Sequence, residues 1–326
     1  MMKNIAILFL LLLSAASPSL RAQSRQGLTA TPEVVGEGTV STKDFEFNFT
    51  VSGDSSVAFF SKALLPDWRR ISILYTELKK GLWQPPRLVP FSGQYRDADP
   101  FIAPDQSRLI FISDRPSAYQ KKTSDYTLWM VSPPFRKNVA PSQVEGDFYK
   151  VVMPLYPSLA SNGNLYFSAT DSTNDSDVYV VRNEGGKYGL PQKLDFNSPQ
   201  LRDLDPVIAP DESFLIFTSP ARKGFGGADL FVSFQNEGIW SAPVNLGDKI
   251  NSFSNEGQPG LSTDGRTLYF STIRPKERAA YAPRAKQIST TQLNKELESP
   301  FNGLPNIWQV NIENIQELNP SRKRAN

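Results

Sequence analysis

The sequence predicts an all-β protein, a β-propeller made from five copies of a repeat of roughly 50 residues. Three observations predict this fold. Five stretches of the chain align with one another, each places turn-forming dipeptides between short apolar runs, and none has the spacing of an amphipathic helix. Four-stranded antiparallel blades in a ring fit this pattern, because each blade covers a face of its neighbour. Five blades are favoured over six.

The two clearest copies of the repeat share the pattern Asp-Pro-x-Ile-Ala-Pro-Asp. They run from Asp99 to Asp105 and from Asp205 to Asp211, and both continue into an apolar strand. Weaker copies begin at Pro157 and Pro259, and a degenerate copy begins at Asn48. The anchors at positions 48, 100, 157, 206 and 259 are therefore close to evenly spaced, as repeated blades require.

Each copy contains the signals for four short strands. Pro-Asp, Asn-Gly or Asp-Gly forms a tight turn between the first strand and a second strand of the type Leu-x-Phe-x-Ser. The third strand carries an aliphatic–aromatic pair: Leu128-Trp129, Val178-Tyr179, Leu230-Phe231 and Ile307-Trp308. Three copies then share Gly-x-aromatic-x-x-Pro: Gly81-Trp83-Pro86, Gly186-Tyr188-Pro191 and Gly238-Trp240-Pro243. We expect the glycine to turn the chain, the aromatic ring to pack between blades and the proline to lie on an edge strand.

The repeats set the domain boundaries. Residues 1–22 are predicted to be a signal peptide, 23–44 a segment that closes the ring, 45–318 the propeller and 319–326 a basic tail. Within the closing segment, Glu33 to Val40 are expected to add an outer strand to the last blade. A sixth, irregular blade is an alternative for residues 275–305.

The N-terminus has the layout of a secretory leader. Lys3 supplies positive charge, Ile5 to Leu13 are apolar, and small residues follow up to Ala22. The apolar run is too short to span a bilayer, and no later segment is apolar enough to do so. We therefore expect a soluble monomer in the periplasm or outside a Gram-negative cell.

Composition excludes several function classes. The chain has no histidine and no cysteine, which excludes Ser-His-Asp hydrolysis, cysteine nucleophiles and the usual zinc sites. The net charge is +2 and the charges are interspersed, so a nucleic-acid partner is not expected. No cofactor is predicted.

The repeat resembles a known family. Asp-Pro-x-x-x-Pro-Asp, then Leu-x-Phe-x-Ser, then Asp-Leu-aromatic is similar to the WD-type propeller repeats of TolB and its relatives. The stretches Gly224 to Leu230 and Trp240 to Gly247 resemble repeats of Bacteroidetes cell-envelope proteins. The resemblance covers residues 45–318, without the separate N-terminal domain of TolB and without an OmpA-type region. It implies a propeller in the cell envelope and leaves the activity open.

Charged side chains recur at two positions of the repeat. Carboxylates precede the first strands and arginines follow the second strands. The carboxylates are Asp97, Asp99, Asp203, Asp205 and Glu256, and the arginines are Arg115, Arg222 and Arg274. Blade topology places both positions on one face, together with the insertions 116–126, 170–176, 220–228 and 275–305. These residues are the candidate binding site, since long loops on a rigid scaffold usually carry function. For acids and arginines that recur in register we favour a ring of inter-blade salt bridges over a ligand site, and the insertions mark the binding face independently.

Two further motifs are weaker. Gly224 to Gly227 are either an anion cradle or, as we favour without a following helix, a tight loop. Asp171, Asp175 and Asp177 offer hard oxygen ligands but lack the spacing of a helix-flanked calcium loop, so a solvated loop is favoured.

The sequence leaves three hypotheses about function. The first is a non-catalytic scaffold that binds a protein or a peptidoglycan-associated component through the loop-rich face. The second is a sialidase-type enzyme with Arg115, Arg222 and Arg274 as a carboxylate-binding triad. The third is a carbohydrate-binding module that stacks sugars on Trp129, Trp240 or Trp308, although we expect these rings to pack in the core.

Overall fold

A computed structural model describes residues 31–65, 68–171, 175–275 and 287–318. Five antiparallel sheets form the five blades of a β-propeller, so the predicted fold class is confirmed. The first strand of every blade lies innermost and contacts the first strands of both neighbouring blades, from blade 1 round to blade 5 and back to blade 1. The innermost strands therefore surround a single axis.

Each blade follows the strand order that the repeat predicts. Blade 1 consists of β2 (Phe45–Val51), β3 (Val57–Leu64), β4 (Arg70–Lys79), β5 (Leu82–Trp83) and β6 (Arg87–Leu88). Blade 2 consists of β7 (Asp97–Ile102), β8 (Leu109–Ser113), β9 (Thr127–Val131) and β10 (Ser142–Gln143). Blade 3 consists of β11 (Leu155–Leu159), β12 (Leu165–Thr170), β13 (Ser176–Val181), β14 (Asn183–Glu184), β15 (Lys187–Tyr188) and β16 (Gln192–Lys193).

The last two blades complete the circle. Blade 4 consists of β17 (Leu204–Ile208), β18 (Phe214–Ser219), β19 (Asp229–Asn236), β20 (Ile239–Trp240) and β21 (Val244–Asn245). Blade 5 consists of β22 (Glu256–Leu261), β23 (Thr267–Thr272), β24 (Asn306–Asn311) and, as its outer strand, β1 (Glu33–Val34). The helices are short: α1 (Thr290–Leu297) and single 3-10 turns at Asp147–Lys150, Ile312–Asn314 and Gln316–Leu318.

The ring is closed by the segment before the first repeat. β1 pairs antiparallel with β24, with Val34 opposite Trp308. The neighbouring side chains of Val35 and Val40 are completely buried between blades 5 and 1. The first and last parts of the propeller are thus held together by both hydrogen bonds and apolar burial.

The aromatic hairpins seal the blades against one another, as predicted. Gly238 has φ +85°, which brings Trp240 of blade 4 edge-on against Tyr166 of blade 3, with ring centroids 6.2 Å apart. Trp83 of blade 1 packs in the same way against the apolar cluster shared by blades 5 and 1. Blade 2 lacks this hairpin, and Phe135 from its longer loop packs on Phe59 of blade 1 instead.

The two faces of the ring differ in their connections. One face carries the connections from first to second strand and from third to fourth strand, which are short turns or hairpins except for residues 132–141 in blade 2. The other, which we call the loop face, carries the connections into the first strands and out of the second strands. A sixth blade was the alternative for residues 275–305, but the described part of this segment forms α1 on the loop face and contains no strand. The ring therefore has five blades. No helix in the described ranges is both long and apolar enough to cross a membrane.

Candidate functional site

The structure separates the predicted site residues into two groups. Three carboxylates and three arginines form ion pairs at the base of the loop face. The remaining two, Asp99 and Asp205, turn away from these pairs and line a cavity on the propeller axis. The separation arises from a β-bulge in every innermost strand, which for β7 shifts the register between Ala98 and Phe101.

Each ion pair lies within one blade. Arg115 Nη2 donates to Asp97 Oδ1 at 2.7 Å in blade 2. Arg222 forms a bidentate pair with Asp203 in blade 4, at 2.9 and 2.7 Å. In blade 5, Arg274 Nη2 lies 3.2 Å from Glu256 Oε1. The expectation of inter-blade salt bridges is therefore wrong, because the acid begins or directly precedes the first strand and the arginine follows the second strand of the same sheet.

The arginines hold the loops as well as the acids. Besides its carboxylate, each guanidinium donates to a carbonyl in the connection that enters its own blade; the acceptors are Phe91, Phe196 and Ile250. Each guanidinium also lies over the phenylalanine ring of the second strand, for example 5.2 Å from Phe111 in blade 2. One arginine side chain thus contacts the carboxylate of the first strand, the phenylalanine of the second strand and the backbone of the incoming loop.

Burial shifts the pKa values of charged groups in these ion pairs. Asp97 is completely buried, which raises the pKa of its carboxyl, while the positive charge of Arg115 opposes the increase. Burial lowers the pKa of Arg274, against the effect of Glu256. Because each charge is removed from water, its partner is required to keep it ionised.

A fourth blade carries a related pair that the sequence analysis did not identify. Glu46 stands in β2 at the position of Asp97 and is completely buried, with Lys62 Nζ 3.2 Å from its Oε1. In blade 3 this position is Pro154, so the charge is absent. Aligning the degenerate first copy one residue at a time would have revealed Glu46.

The axis is lined by one residue from each blade, and we call these five residues the axial ring. Each precedes or occupies the bulge of its innermost strand with φ near +50°; they are Asn48, Asp99, Tyr156, Asp205 and Gln258. All five side chains end in oxygen-bearing groups. Asn48, Asp99, Tyr156 and Asp205 line an axial cavity of about 20 Å³, which is room for one water-sized species.

The two acids of the axial ring are deeply buried. Asp99 is 3% exposed and Asp205 is 6% exposed. Burial raises the pKa of Asp205 to about 7, although it accepts a hydrogen bond from the Gln258 N–H. Burial, and then the nearby charge of Asp205, raise the pKa of Asp99 well above its usual value. The sequence analysis had grouped these acids with the arginines, which they do not contact.

Large apolar side chains are exposed on the loop face, and we call them the apolar patch residues. They come from blades 1, 4 and 5 and are Leu64, Trp68, Phe225, Phe253, Leu293 and Leu297. Gly226 brings the loop of Phe225 against the backbone of Phe253, since a Cβ there would lie 2.7 Å from the Phe253 carbonyl carbon. Phe225 and Phe253 therefore stand on adjoining loops.

The weaker motifs have structural roles. Two N–H groups of the Gly224–Gly227 loop are occupied, that of Phe225 by Asp229 and that of Gly227 by the Ser254 carbonyl, which is the arrangement of the tight loop that we favoured. Asp171 and Asp177 both pair with Lys193 instead of remaining solvated, which corrects the expectation of a solvated loop.

The tryptophans considered as sugar platforms are packed, as expected. Trp240 and Trp308 are buried, and Trp129 lies beneath the Arg115 guanidinium, 5.2 Å from it. Their rings are used to join blades and to hold the arginine.

With this fold and site, the chain belongs to the class of five-bladed propellers. No family model and no curated protein matches the sequence. Among solved structures it is similar to a TolB from Agrobacterium tumefaciens, described as putative, with 13% identity and a TM-score of 0.47 over 82% of this chain and 90% of that one.

Two other solved structures illustrate the range of the fold. The TolB of Acinetobacter baumannii matches with 13% identity and a TM-score of 0.40. The match covers 81% of this chain and 52% of that protein, about half of its length. A GH43 β-xylosidase/α-arabinofuranosidase from a compost metagenome matches with 9% identity and a TM-score of 0.46, over 86% and 94% of the two chains. These likenesses concern the fold alone.

Proposed function

We propose that this chain is an exported, non-catalytic propeller that binds a protein of the cell envelope through its loop face. The observation that carries the proposal is the pair of exposed aromatic side chains, Phe225 and Phe253, on two loops of that face that contact each other at Gly226. Phe225 is 52% exposed and Phe253 is 50% exposed, on adjoining loops. Neighbouring exposed aromatic rings on soluble proteins usually mark an interaction surface, because covering them removes apolar area from water.

The ion pairs support binding over hydrolysis. A sialidase-type site needs arginines that face the substrate, whereas Arg115, Arg222 and Arg274 each face a carboxylate and a backbone carbonyl of their own blade. Their geometry suits a role in fixing the loops. A fixed loop lowers the entropy that is lost when a partner binds.

The location forms part of the proposal. The predicted leader lies outside the described residues, so its support is the sequence pattern alone. We expect the mature protein to begin close to residue 23 and to be found in the periplasm or the medium. N-terminal sequencing of the protein from each cell fraction tests this, and an intact Met1 in the cytoplasm would contradict it.

The binding test uses a matched pair of double variants. Phe225→Ser with Phe253→Ser alters the loop face. Leu82→Ser with Ile239→Ser alters two apolar side chains on the opposite face that are more exposed, at 67% each. Wild type and both variants are immobilised after equal thermal stability has been shown. Envelope proteins retained by each are quantified by mass spectrometry, and a retained partner is then purified for calorimetry.

We expect the loop-face variant to bind the partner at least roughly tenfold more weakly, since aromatic side chains dominate interface energies. The opposite-face variant should bind like wild type. Equal loss in both variants, or a partner that binds all three proteins equally, would contradict the proposal. Turnover of sialosides or xylosides by wild type would favour the enzymatic alternative.

A further inference from the structure

The axial ring contains buried negative charge with no counter-charge. Other buried acids have a lysine or arginine within 4 Å, as Asp203 has Arg222 and Glu46 has Lys62. Asp229 is buried without an ion pair among the described residues, but one of its carboxylate oxygens accepts hydrogen bonds from the Phe225 N–H and the Asn245 amide. Asp99 and Asp205 have no lysine or arginine partner among the described residues. A buried carboxylate without a counter-charge is strongly unfavourable unless it is protonated or binds a cation.

One neutral oxygen at the cavity is also without a partner among the described residues. The Oδ1 atom of Asn48, which lines the axial cavity, is fully buried and accepts no hydrogen bond from the described part of the chain. Buried amide oxygens normally have a hydrogen-bond donor. The unused acceptor and the two carboxylates therefore lie around one small space, and all of them would be satisfied by the same positive ligand.

The backbone holds the ring in place. The N–H of Asp99 donates to Ser61 of blade 1 at 3.0 Å, and its Oδ2 accepts from the N–H of Tyr156 in blade 3 at 3.3 Å. Asp205 is held in the same way, between Ser168 of blade 3 and Gln258 of blade 5. Side chains fixed from both neighbouring blades form a prearranged set of ligands, which lowers the cost of binding.

The geometry points to one bound cation: we propose that the axial ring binds a single hard divalent cation of the calcium class, with Asp99, Asp205 and Asn48 as its principal ligands. Carboxylate and amide oxygens are the ligands that calcium prefers, and a ring of separate side chains tolerates its flexible geometry. Magnesium is less suited, because it retains several waters and the cavity has room for only one water-sized species. This site is independent of the proposed partner-binding face.

Calorimetry on the full-length mature protein tests the site. The protein is stripped with chelator at pH 8 and titrated with CaCl₂, MgCl₂ or NaCl at constant ionic strength. We expect one calcium per chain, magnesium binding at least roughly tenfold weaker and no saturable sodium binding. At a calcium concentration of 1,000 times Kd, the melting temperature should rise by roughly 5 °C.

Three variants assign the binding to the axial ring. Asp99→Asn with Asp205→Asn should abolish calcium binding and leave a folded protein, because it removes the uncompensated charge. Asn48→Ala, which retains both acids, should weaken binding roughly tenfold, the loss of one neutral ligand. Asp248→Asn, at an exposed carboxylate, is the control and should bind as wild type does.

Each alternative result is informative. A folded wild type that shows neither heat nor a melting shift with calcium at pH 8 would overturn the proposal. So would binding that survives in the Asp99→Asn, Asp205→Asn variant, or a melting shift that the three salts produce equally.

Discussion

The buried ion pairs show what a single residue contributes to this ring. Arg222 neutralises Asp203, which is 1% exposed, and also holds the Phe196 carbonyl. Arg222→Ala should therefore destabilise the protein by about 3 kcal/mol or more, because an unpaired carboxylate remains buried. Urea unfolding measures the change. Lys150→Ala, which breaks an exposed pair with Asp147, should change stability by less than about 0.5 kcal/mol.

If both substitutions had equally small effects, Asp203 would be hydrated in solution. A second comparison uses Arg222→Met alone and Arg222→Met with Asp203→Leu. If the double variant regains the stability that the single variant loses, the arginine is needed to neutralise Asp203 more than to fill space.

Asp205 predicts a dependence of stability on pH. Its pKa rises from the usual 3.8 to about 7 on folding, so the folded state binds the proton more tightly than the unfolded state. The contribution of Asp205 to stability is then fully present below about pH 4 and is lost as the pH rises, and the penalty is complete above about pH 7. The difference between the two pKa values corresponds to about 4 kcal/mol.

Asp205→Asn removes this penalty. In chelator, we expect the variant to exceed wild type by up to about 4 kcal/mol at pH 8 and by about 1 kcal/mol at pH 4.5. Chemical denaturation at both pH values measures the difference. A constant difference between pH 4.5 and pH 8 would mean that Asp205 does not titrate in this range.

At the scale of the strand hairpin, Trp240 and Ile239 are adjacent but have opposite environments. Trp240 is buried between blades 3 and 4 beside Tyr166 and Phe196, and Ile239 is exposed at the turn. Trp240→Ala should cost about 3 to 5 kcal/mol through the cavity that it leaves.

The neighbouring variant Ile239→Ala should cost less than about 0.5 kcal/mol, since the side chain already faces water. Differential scanning calorimetry of the two variants compares them directly. Similar losses would mean that the hairpin is stabilised by its backbone pairing and not by the indole between the blades.

For the whole molecule, stability depends on closing the circle. Removal of the chain up to Val40 deletes the β1–β24 pairing and the buried side chains of Val35 and Val40. We expect the melting temperature to fall by roughly 5 to 10 °C.

A protein that begins at Thr31 is the control for this truncation, because it retains β1 and should melt like the full mature chain. A synthetic peptide of residues 31–42 should restore part of the lost stability when added in trans. If both truncated proteins melted together, the outer strand would not contribute to ring closure.

The repeat pattern predicted the ring because each copy carries its own local signals. The turn dipeptides, the apolar second strand and the glycine before Trp240 act within a few residues, so one chain reveals them. The pairing of Asp97 with Arg115 was not predicted correctly, since the two residues are 18 apart and their partners depend on how adjacent strands align.

The sequence by itself determined the number of repeats, the strand order and the positions of the loops, because these follow from turn chemistry and the alternation of apolar residues. Only the tertiary structure decided which carboxylates pair with an arginine and which face the propeller axis. Asp97 and Asp99 are two residues apart, yet a bulge sends one to an arginine and the other into a shared cavity with side chains from four other blades. Closing the ring creates that cavity, and no single repeat contains it.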